Sequence, residues 1–475
     1  MKMLIGGRWV DRDDKIDVTD PFDGSVVDTV PSANEKDVLG AIESAGRGFE
    51  IMRRLPTHKR VAILRKAAEI VAGSQEKYAR MIAREGSKTI REARKEAFRC
   101  SNTLQVAADE ARKVIGETVN FDAAPGSENR VGYYYRFPIG VIAAITPFND
   151  PLNLVAHKLG PAFAGGNAVV LKPATVTPLS ALLLAEAFLE AGLPPEALQV
   201  VTGHGDRIGD VLVTDPRIRM VSFTGGPEAG EAIVRKAGLK KIGMELGSNS
   251  PVIVCQDADL DLAVECSVSG AFWAAGQNCI GVQRIYIEMP VYERFTKAFV
   301  ARTKKYKVGP KLEEDCDMGP MITEKEAKRI ESWVNDSMKA GAKLLAGGQR
   351  RGAIYDPTVL AEVPEGARVG CEEVFAPVVS LYPVNDLEEA VRLSNEPDYG
   401  LLAGIFTSSL EKAFYAIREM EVGGIIVNDS SDYRVDQMPF GGVKRSGLGR
   451  EGIQFALLEM TEPKVVCFNL QGIRR

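Results

Sequence analysis

The residues of this chain best suited to covalent chemistry are a cysteine and a glutamate that lie among small residues. Cys279 stands between Gly276 and Gly281, so its sulfur can lie at a cleft rather than inside a core. A thiolate stabilised there by backbone dipoles would be a nucleophile. Glu245 precedes Gly247 in a similar setting, and its carboxylate could act as a general base. A nucleophile and a base are therefore both available.

Two other polar residues follow apolar strands. Asn149 lies in a turn between two prolines, and its amide could donate to a developing oxyanion. Lys172 ends an apolar strand and could bind ribose hydroxyls or a phosphate. Each residue has a plainer interpretation, since asparagine is common in turns, most lysines lie on the surface and most free cysteines are inert buried thiols. Taken singly, these residues leave both interpretations open.

Bulk properties limit the class of protein. A chain of 475 residues exceeds what one core usually serves, so two or three lobes are expected. The net charge is −5 and no apolar run is long enough for a bilayer, so we expect neither nucleic acid nor membrane as a partner. Three histidines and seven irregularly spaced cysteines predict no metal site and no disulfide framework, and a cytoplasmic location is expected.

Hydrophobic periodicity predicts the elements that position these residues. Residues 34–50 and 57–115 are charged, alanine-rich and periodic, which is typical of amphipathic helices. Residues 117–138 are aromatic and β-prone, as in a hairpin. From residue 139 onward strands alternate with helices, and the pattern starts again after Glu245. The predicted fold is α/β, with two doubly wound lobes and a protruding hairpin.

Ligands in such sheets bind beyond the carboxyl ends of the strands. Two glycine clusters there compete as a dinucleotide site. The one that runs from Gly203 to Gly209 is too long for the usual fingerprint and lacks the acidic residue that should follow it. The turn of Thr224, Gly225 and Gly226 links a strand to a helix, where free N–H groups could meet a pyrophosphate.

In order and spacing, seven motifs resemble the aldehyde dehydrogenase superfamily, over essentially the whole chain. They are Thr146-Pro147-Phe148-Asn149, the segment 165–173, Phe223-Thr224-Gly225-Gly226, Met244-Glu245-Leu246-Gly247, Gly276-Gln277-Asn278-Cys279, the segment 373–377 and Pro439-Phe440-Gly441-Gly442. The resemblance implies a cofactor-binding domain over 1–116 and 139–245 and a catalytic domain over 246–445. It also implies oligomerisation elements at 117–138 and 456–475, so a homodimer or homotetramer is expected.

The resemblance also implies a mechanism. Cys279 would attack an aldehyde, and the Asn149 amide with the Cys279 backbone N–H would hold the oxyanion. After hydride transfer to a nicotinamide, Glu245 would activate the water that hydrolyses the thioester. The expected product is a carboxylate.

The cofactor residues implied by the resemblance surround the predicted turn. They are Thr146, Pro147, Phe148, Lys172, Thr175, Gly205, Phe223, Thr224, Gly225, Gly226, Leu246, Glu373 and Phe375. Gly226 replaces the usual serine. Thr175 stands where many NAD-preferring members have a glutamate that would repel a 2′-phosphate, so both NAD and NADP are admitted.

The segment 428–439 resembles the loop of the lactaldehyde and phosphonoacetaldehyde dehydrogenase branch. The predicted substrate-binding residues are Arg434, His157, Arg99 and Phe440. Guanidinium groups suit an anionic or hydroxylated tail. The plainer alternative pairs Arg434 with Asp436 or Asp432 and Arg99 with Glu96. Asp150 either repels an anion or bonds His157.

Three other functions are compatible with parts of this pattern. A CoA-acylating dehydrogenase commonly lacks the carboxylate at the position of Glu245. A non-phosphorylating glyceraldehyde-3-phosphate dehydrogenase would use the arginines for a phosphate tail. A structural protein on this fold would have no reason to keep Cys279, Glu245 and Asn149 together.

Overall fold

The computed structural model describes residues 1–471, and its first part combines short hairpins with a helical layer. The elements are β1 (Met3–Ile5), β2 (Arg8–Val10), β3 (Lys15–Thr19), β4 (Val26–Pro31), α1 (Glu35–Met52), α2 (Thr57–Gly73), α3 (Gln75–Glu85), α4 (Ile90–Glu110), β5 (Glu117–Val119) and β6 (Arg130–Pro138). The stretch predicted as helical over 57–115 is three helices. Ser74 separates the first two, and extended backbone at Gly86 ends the second. A capping box between Thr89 and Glu92 then starts α4.

A parallel sheet with helices on both faces follows. Its elements are β7 (Val141–Ile145), α5 (Asn153–Gly165), β8 (Ala168–Lys172), α6 (Leu179–Glu190), β9 (Leu198–Val200), α7 (Gly205–Thr214), β10 (Ile218–Thr224), α8 (Pro227–Ala237) and β11 (Lys241–Glu245). Strand β7 is apolar throughout because both of its faces are buried. Ile142 and Ala144 pack in the cluster that includes α2 and α4 to α6, and Val141 and Ala143 pack with α1 and α7.

The second lobe repeats this construction. Its elements are β12 (Pro251–Val254), α9 (Leu260–Phe272), β13 (Arg284–Glu288), α10 (Met289–Thr303), α11 (Glu324–Lys339), β14 (Lys343–Ala346), β15 (Arg350–Arg351), β16 (Ile354–Tyr355), β17 (Thr358–Ala361), α12 (Arg368–Cys371), β18 (Val378–Val384), α13 (Leu387–Asn395), β19 (Tyr399–Gly400), β20 (Leu402–Phe406), α14 (Leu410–Glu419), β21 (Gly424–Val427) and β22 (Val443–Lys444). The sheet has the order β14-β17-β18-β13-β12-β20-β21, and all of its neighbours are parallel except β14 and β17. The predicted α/β fold with two wound lobes is confirmed.

The chain then returns to the first lobe. It forms β23 (Gly447–Leu448), α15 (Ile453–Glu459) and β24 (Thr461–Asn469). Strand β23 completes the first sheet, in the order β2-β1-β9-β8-β7-β10-β11-β23. The sequence patterns did not indicate that β1, β2 and β23 would extend this sheet.

The hairpin predicted at 117–138 is present as β5 and β6, which pair antiparallel. Strand β24 pairs with the other side of β6 and makes a three-stranded sheet. This sheet exposes the apolar side chains of Val131, Tyr135, Phe137, Val465 and Phe468. Residues 472–475 of the predicted element 456–475 lie outside the described residues. Among residues 1–471, no helix has the length and apolar character needed to cross a bilayer.

Strand register in the first sheet gathers polar residues at one edge. Ile145 lies opposite Lys172 on β8 and opposite Phe223 on β10, and Thr224 lies opposite Glu245 on β11. Because these strands are parallel, their carboxyl ends meet at the same edge. Lys172, Thr224 and Glu245 are therefore brought to one rim of the sheet.

A buried lysine ties the second lobe to the first. Lys311, in the loop before α11, forms an ion pair of 2.7 Å with Asp20 and donates to the carbonyl of Gly86 at 2.6 Å and of Arg84 at 3.2 Å. Its side chain is 1% exposed. Since a buried ammonium needs such partners, these contacts hold the two lobes together at Lys311.

We predict that Lys311→Met lowers the free energy of unfolding by about 3 kcal/mol, because Asp20 and two carbonyls lose a buried partner. Thermal unfolding measures this as a clear fall in the midpoint. Lys339→Met is the matched control, since Lys339 is exposed and its ion pair with Asp336 spans 3.4 Å. A Lys311→Met protein that unfolds at the parent temperature would contradict the assignment.

Candidate active site

The loop that carries Cys279 is held in an unusual backbone conformation. Ala274, Ala275 and Gly276 have φ of 50°, 56° and 68°, three left-handed residues in succession. The carboxylate of Glu92, on α4 of the first lobe, accepts the Ala274 amide N–H at 2.9 Å. Left-handed alanines cost free energy and persist only where surrounding contacts hold them. The first lobe thus fixes the shape of the loop that the second lobe supplies.

Gly276 could not be another residue in this loop. A Cβ built on it would lie 2.1 Å from the carbonyl oxygen of Ala376. The Gln277 side chain donates to the Ala274 carbonyl at 3.0 Å and accepts the amide of Ile322 at 2.8 Å. These contacts anchor the loop immediately before Asn278 and Cys279, which are both half-buried.

Cys279 lies between two cavities, of about 380 Å³ and about 650 Å³. Cys279, Glu245 and Asn149 line both of them. The structure therefore brings the three predicted catalytic residues together at the point where the cavities meet. A molecule in either cavity can reach the sulfur.

Glu245 is a buried carboxylate with one free oxygen. Its Oε2 atom has no hydrogen-bond partner among the described residues. Burial, and next the charge of Glu451, raise the pKa of Glu245 well above its usual value, while Arg434 and Lys158 oppose this rise. A raised pKa with an unoccupied oxygen is what a general base for water requires.

The pKa of the Cys279 thiol is also shifted. Burial raises the pKa of Cys279 to about 12, and the positive charge of Arg434 acts in the opposite direction. This shift favours the protonated form of the sulfur. The charge of Arg434 favours the thiolate that the mechanism requires.

Sequence reasoning missed the ion pair beside Glu245. Lys158 on α5 donates to Glu451 Oε1 at 3.1 Å and to the Ser222 hydroxyl at 3.0 Å. Although burial would raise it, Lys158 and Arg434 hold the pKa of Glu451 below its usual range. A lysine within the largely apolar helix α5 was the available signal, because a buried lysine implies a paired carboxylate.

The larger cavity collects most of the predicted cofactor residues. It is lined by Thr146, Pro147, Phe148, Phe223, Thr224, Gly225, Gly226, Leu246, Glu373 and Phe375. A Cβ on Gly247 would lie 2.3 Å from Glu373 Oε2, so this carboxylate closely approaches backbone. The sequence did not single out Trp333, which also lines the cavity. The guanidinium groups of Arg329 and Arg368 lie 4.7 Å and 4.0 Å from the centre of its ring.

The other predicted cofactor residues lie beside the cavity rather than in its lining. Lys172 is buried and donates to the carbonyl of Pro173 at 3.1 Å, and burial lowers its pKa to about 8. A Cβ on Gly205 would lie 4.0 Å from the Lys172 side chain. The Thr175 hydroxyl donates to the carbonyl of Gly203 at 3.0 Å. Lys172, Thr175 and Gly205 form one group at the start of α7.

The smaller cavity contains three of the predicted substrate residues, Arg434, Arg99 and Phe440. The Arg434 guanidinium lies 3.6 Å above the ring centre of Phe440. It donates to Glu451 at 3.4 Å, so neither Asp436 nor Asp432 is its partner.

His157 does not line this cavity. Its Nε2 atom lies 3.0 Å from Asp436 Oδ1, and Arg99 donates to the same oxygen at 2.9 Å. The predicted partner Glu96 instead binds Lys88, and Asp150 binds Lys88 rather than His157. Asp436 is therefore the shared partner of His157 and Arg99.

The chain is similar to aldehyde dehydrogenases over nearly its whole length. The profile of the aldehyde dehydrogenase family matches residues 9–466. Aspartate-semialdehyde dehydrogenase 1 of Pseudomonas canavaninivorans is 50% identical over 457 residues, covering 96% of this chain and 97% of that protein. The 3-sulfolactaldehyde dehydrogenase of Priestia aryabhattai is 46% identical over 468 residues, with 98% of each chain covered.

A solved structure agrees with these sequences. Aldehyde dehydrogenase 21 of Physcomitrella patens, in complex with the reaction product succinate, superposes with a TM-score of 0.97. It is 41% identical, and the match covers 100% of this chain and 99% of that one. The chain belongs to the aldehyde dehydrogenase family and is an NAD(P)-dependent aldehyde dehydrogenase.

Proposed function

We propose that this enzyme oxidises a small aldehyde with a polar or anionic tail to the carboxylate, through a thioester on Cys279. An anionic tail is supported by the burial and the incomplete hydrogen bonding of the Arg434 side chain. Its side chain is 8% exposed, lines the smaller cavity, and has a buried Nε without a hydrogen-bond partner among the described residues.

The guanidinium group is under-satisfied. It has five N–H donors, yet within the described chain it makes a single hydrogen bond, of 3.4 Å to Glu451. Unpaired buried donors cost free energy, which a carboxylate or sulfonate would recover through charge-assisted bonds. Relatives named for aspartate semialdehyde and 3-sulfolactaldehyde act on aldehydes with such tails. They support the same class for this chain.

The larger cavity fits a nicotinamide dinucleotide. Thr146 Oγ1 is buried without a partner among residues 1–471, and the Lys172 ammonium has a backbone carbonyl as its hydrogen-bond acceptor. Lys172, Thr175 and Gly205 would hold the adenosine end, and Glu373 with Phe375 the nicotinamide end. NAD or NADP, when bound, accepts the hydride. Thr175 has no negative charge to repel a 2′-phosphate.

The first half-reaction places new charge on the aldehyde oxygen. Cys279 gives its proton to solvent water, and the resulting thiolate forms a C–S bond with the carbonyl carbon while the C=O π electrons move to the oxygen. The Asn149 amide and the Cys279 backbone N–H stabilise the resulting oxyanion. When hydride leaves the carbon, the C=O bond re-forms and a thioester remains on Cys279.

The second half-reaction is hydrolysis. The free Oε2 of Glu245 removes a proton from water, which attacks the thioester carbon. The C–S bond breaks, the thiolate leaves and the carboxylate is released. The presence of Glu245 favours this route over the CoA-acylating alternative, which would need a thiol in place of water.

We also propose that residues 1–116 and 139–245 bind the cofactor and 246–445 supply the nucleophile. Segments 117–138 and 456–475 would join subunits in a homodimer or homotetramer. Apolar residues exposed along β6 and β24 support this assembly, because such patches mark interaction surfaces.

Steady-state kinetics tests the proposal. The panel comprises lactaldehyde, phosphonoacetaldehyde, succinate semialdehyde, glyceraldehyde 3-phosphate and propanal, each with NAD and with NADP. We expect carboxylate formation without CoA, the highest kcat/KM for anionic aldehydes, and no turnover by Cys279→Ala. Turnover of Cys279→Ala at the parent rate would refute the mechanism, and a strict need for CoA would favour the acylating alternative.

We predict that Arg434→Met lowers the ratio of kcat/KM for succinate semialdehyde to that for propanal by about 100-fold. Loss of charge-assisted bonds of about 2 to 3 kcal/mol gives this factor. The ratio is measured, rather than either kcat/KM alone, because Arg434 also favours the Cys279 thiolate, which both substrates need. Arg302→Met, at a surface pair with Glu265, is the control. An unchanged ratio would remove Arg434 from substrate binding.

The state of Cys279 gives a pH prediction. With a pKa of about 12, the thiolate fraction rises about tenfold per pH unit, so alkylation of Cys279 by iodoacetamide should still be accelerating at pH 10. Mass spectrometry of the Cys279 peptide measures the rate, with exposed Cys371 as internal reference. Arg434→Met should slow the reaction at each pH. A plateau below pH 8 in the ligand-free protein would contradict the raised pKa of Cys279.

A further inference from the structure

We propose that Glu96, on α4, is a positioning residue for the side-chain amide of Asn149. It acts by holding the turn between β7 and α5, which carries Asn149. The inference rests on the proposed role of Asn149 as an oxyanion donor in the first half-reaction. Glu96 lines neither cavity, so its effect on the reaction passes through the turn that it holds.

The Glu96 carboxylate binds the start of α5. Its Oε1 atom accepts the backbone N–H of Leu152 at 2.8 Å and of Asn153 at 3.0 Å. N–H groups at the start of a helix have no acceptor within the helix, so a buried carboxylate there satisfies them. Its negative charge also suits the positive end of the helix dipole. Glu96 therefore fixes the backbone three and four residues after Asn149.

The other oxygen of Glu96 reaches the same turn through Lys88. Glu96 Oε2 forms an ion pair of 2.7 Å with the Lys88 ammonium, and Lys88 also pairs with Asp150, the residue after Asn149. The side chains of Glu96 and Lys88 are 1% and 3% exposed. Removing one partner of a buried ion pair leaves an uncompensated charge, so these contacts restrain the turn strongly.

A second glutamate of α4 holds the loop of the nucleophile. Glu92 lies four residues before Glu96, so the two side chains leave the same face of the helix one turn apart. Glu92 accepts the Ala274 amide in the loop that leads to Cys279. One turn of α4 therefore sets the spacing between the loop of the sulfur and the turn of the oxyanion donor. Catalytic groups need such spacing to within about 0.5 Å.

Glu85 is a matched control for Glu96. It is fully buried and accepts the backbone N–H of Leu179 at 2.7 Å and of Ser180 at 2.8 Å, at the start of α6. The hydrogen bonding is that of Glu96, but the residues that line the two cavities include none of α6. Replacing Glu85 therefore measures what the loss of such a carboxylate does to folding alone.

A double-mutant cycle with Asn149 tests the proposal. The rate constant for reduced-cofactor formation is measured in a single turnover of propanal, whose neutral tail removes any effect of charge in the cavity. We expect Glu96→Leu to lower this rate constant by about tenfold or more, because a displaced donor binds the oxyanion poorly. In Asn149→Ala the same change should have less than about a twofold effect, since the donor it positions is gone. Glu85→Leu should stay within about twofold in both backgrounds.

Alkylation of Cys279 by iodoacetamide separates positioning from a general loss of structure. Glu96→Leu should leave the alkylation rate within about twofold of the parent rate, because Glu92 still holds the nucleophile loop. Should Glu96→Leu fail to fold, Lys88→Met replaces it, since this change removes the contact with Asp150. Lys88→Met should slow the single turnover about threefold or more, and less than about twofold in Asn149→Ala.

Several outcomes would overturn the proposal. They are a single turnover of Glu96→Leu at the parent rate, an equal loss in the two backgrounds, and alkylation slowed beyond about threefold. If Asn149→Ala gives no measurable turnover, the alkylation rate of a slow Glu96→Leu protein decides in the same way.

Failure of the proposed function gives a different result. Asn149→Ala at the parent rate would show that the Asn149 amide binds no oxyanion. A slow Asn149→Ala protein that Glu96→Leu slows further by the same factor as the parent would reject the role of Glu96 and leave that of Asn149 intact.

Discussion

The hydrogen bond from the Ala274 amide to the Glu92 carboxylate joins the two lobes where the chemistry must occur. It holds three consecutive left-handed residues, which isolated backbone would not adopt. Because Glu92 belongs to the first lobe and Ala274 to the second, the nucleophile loop takes its shape only when the lobes are packed together. Cys279 then lies where both cavities meet, and neither lobe alone would present it so.

Buried charge around this joint sets the ionisation of the reacting groups. Lys158, Glu451 and Arg434 form a connected group beside Glu245. Burying such a group is costly, so its presence in a core points to function. The pKa of Glu451 is lowered, which keeps this carboxylate ionised, while the pKa of Glu245 is raised. The pKa values of two glutamates in one site are therefore shifted in opposite directions, as acid–base chemistry needs.

Much of this architecture could be predicted from residue patterns. The alternation of apolar strands and periodic helices indicated two wound lobes, because strands such as β7 are buried on both faces. The seven motifs correctly indicated the family. Grouping of Cys279, Glu245 and Asn149 agrees with the mechanism carried over from the resemblance, although the roles of these residues stay predictions.

What the sequence could not provide were contacts between distant segments. Short strands such as β1 and β23 take their structure from the sheet edge they join, and their own residues give little periodicity. Proximity along the chain predicts partners for Arg434 and Arg99 within a few positions of each. The structure instead pairs Arg434 with Glu451 and Arg99 with Asp436, since ion pairs follow tertiary proximity.

The central claim is that oxidation proceeds through an acyl group on Cys279 that Glu245 releases. Intact-protein mass spectrometry of Glu245→Gln, mixed with aldehyde and NAD or NADP, tests it most directly. We predict one acyl group per chain, located on the peptide of Cys279, together with one equivalent of reduced cofactor formed in a burst. Continuous turnover at the parent rate with an unmodified Cys279, or an acyl group on another residue, would contradict the account.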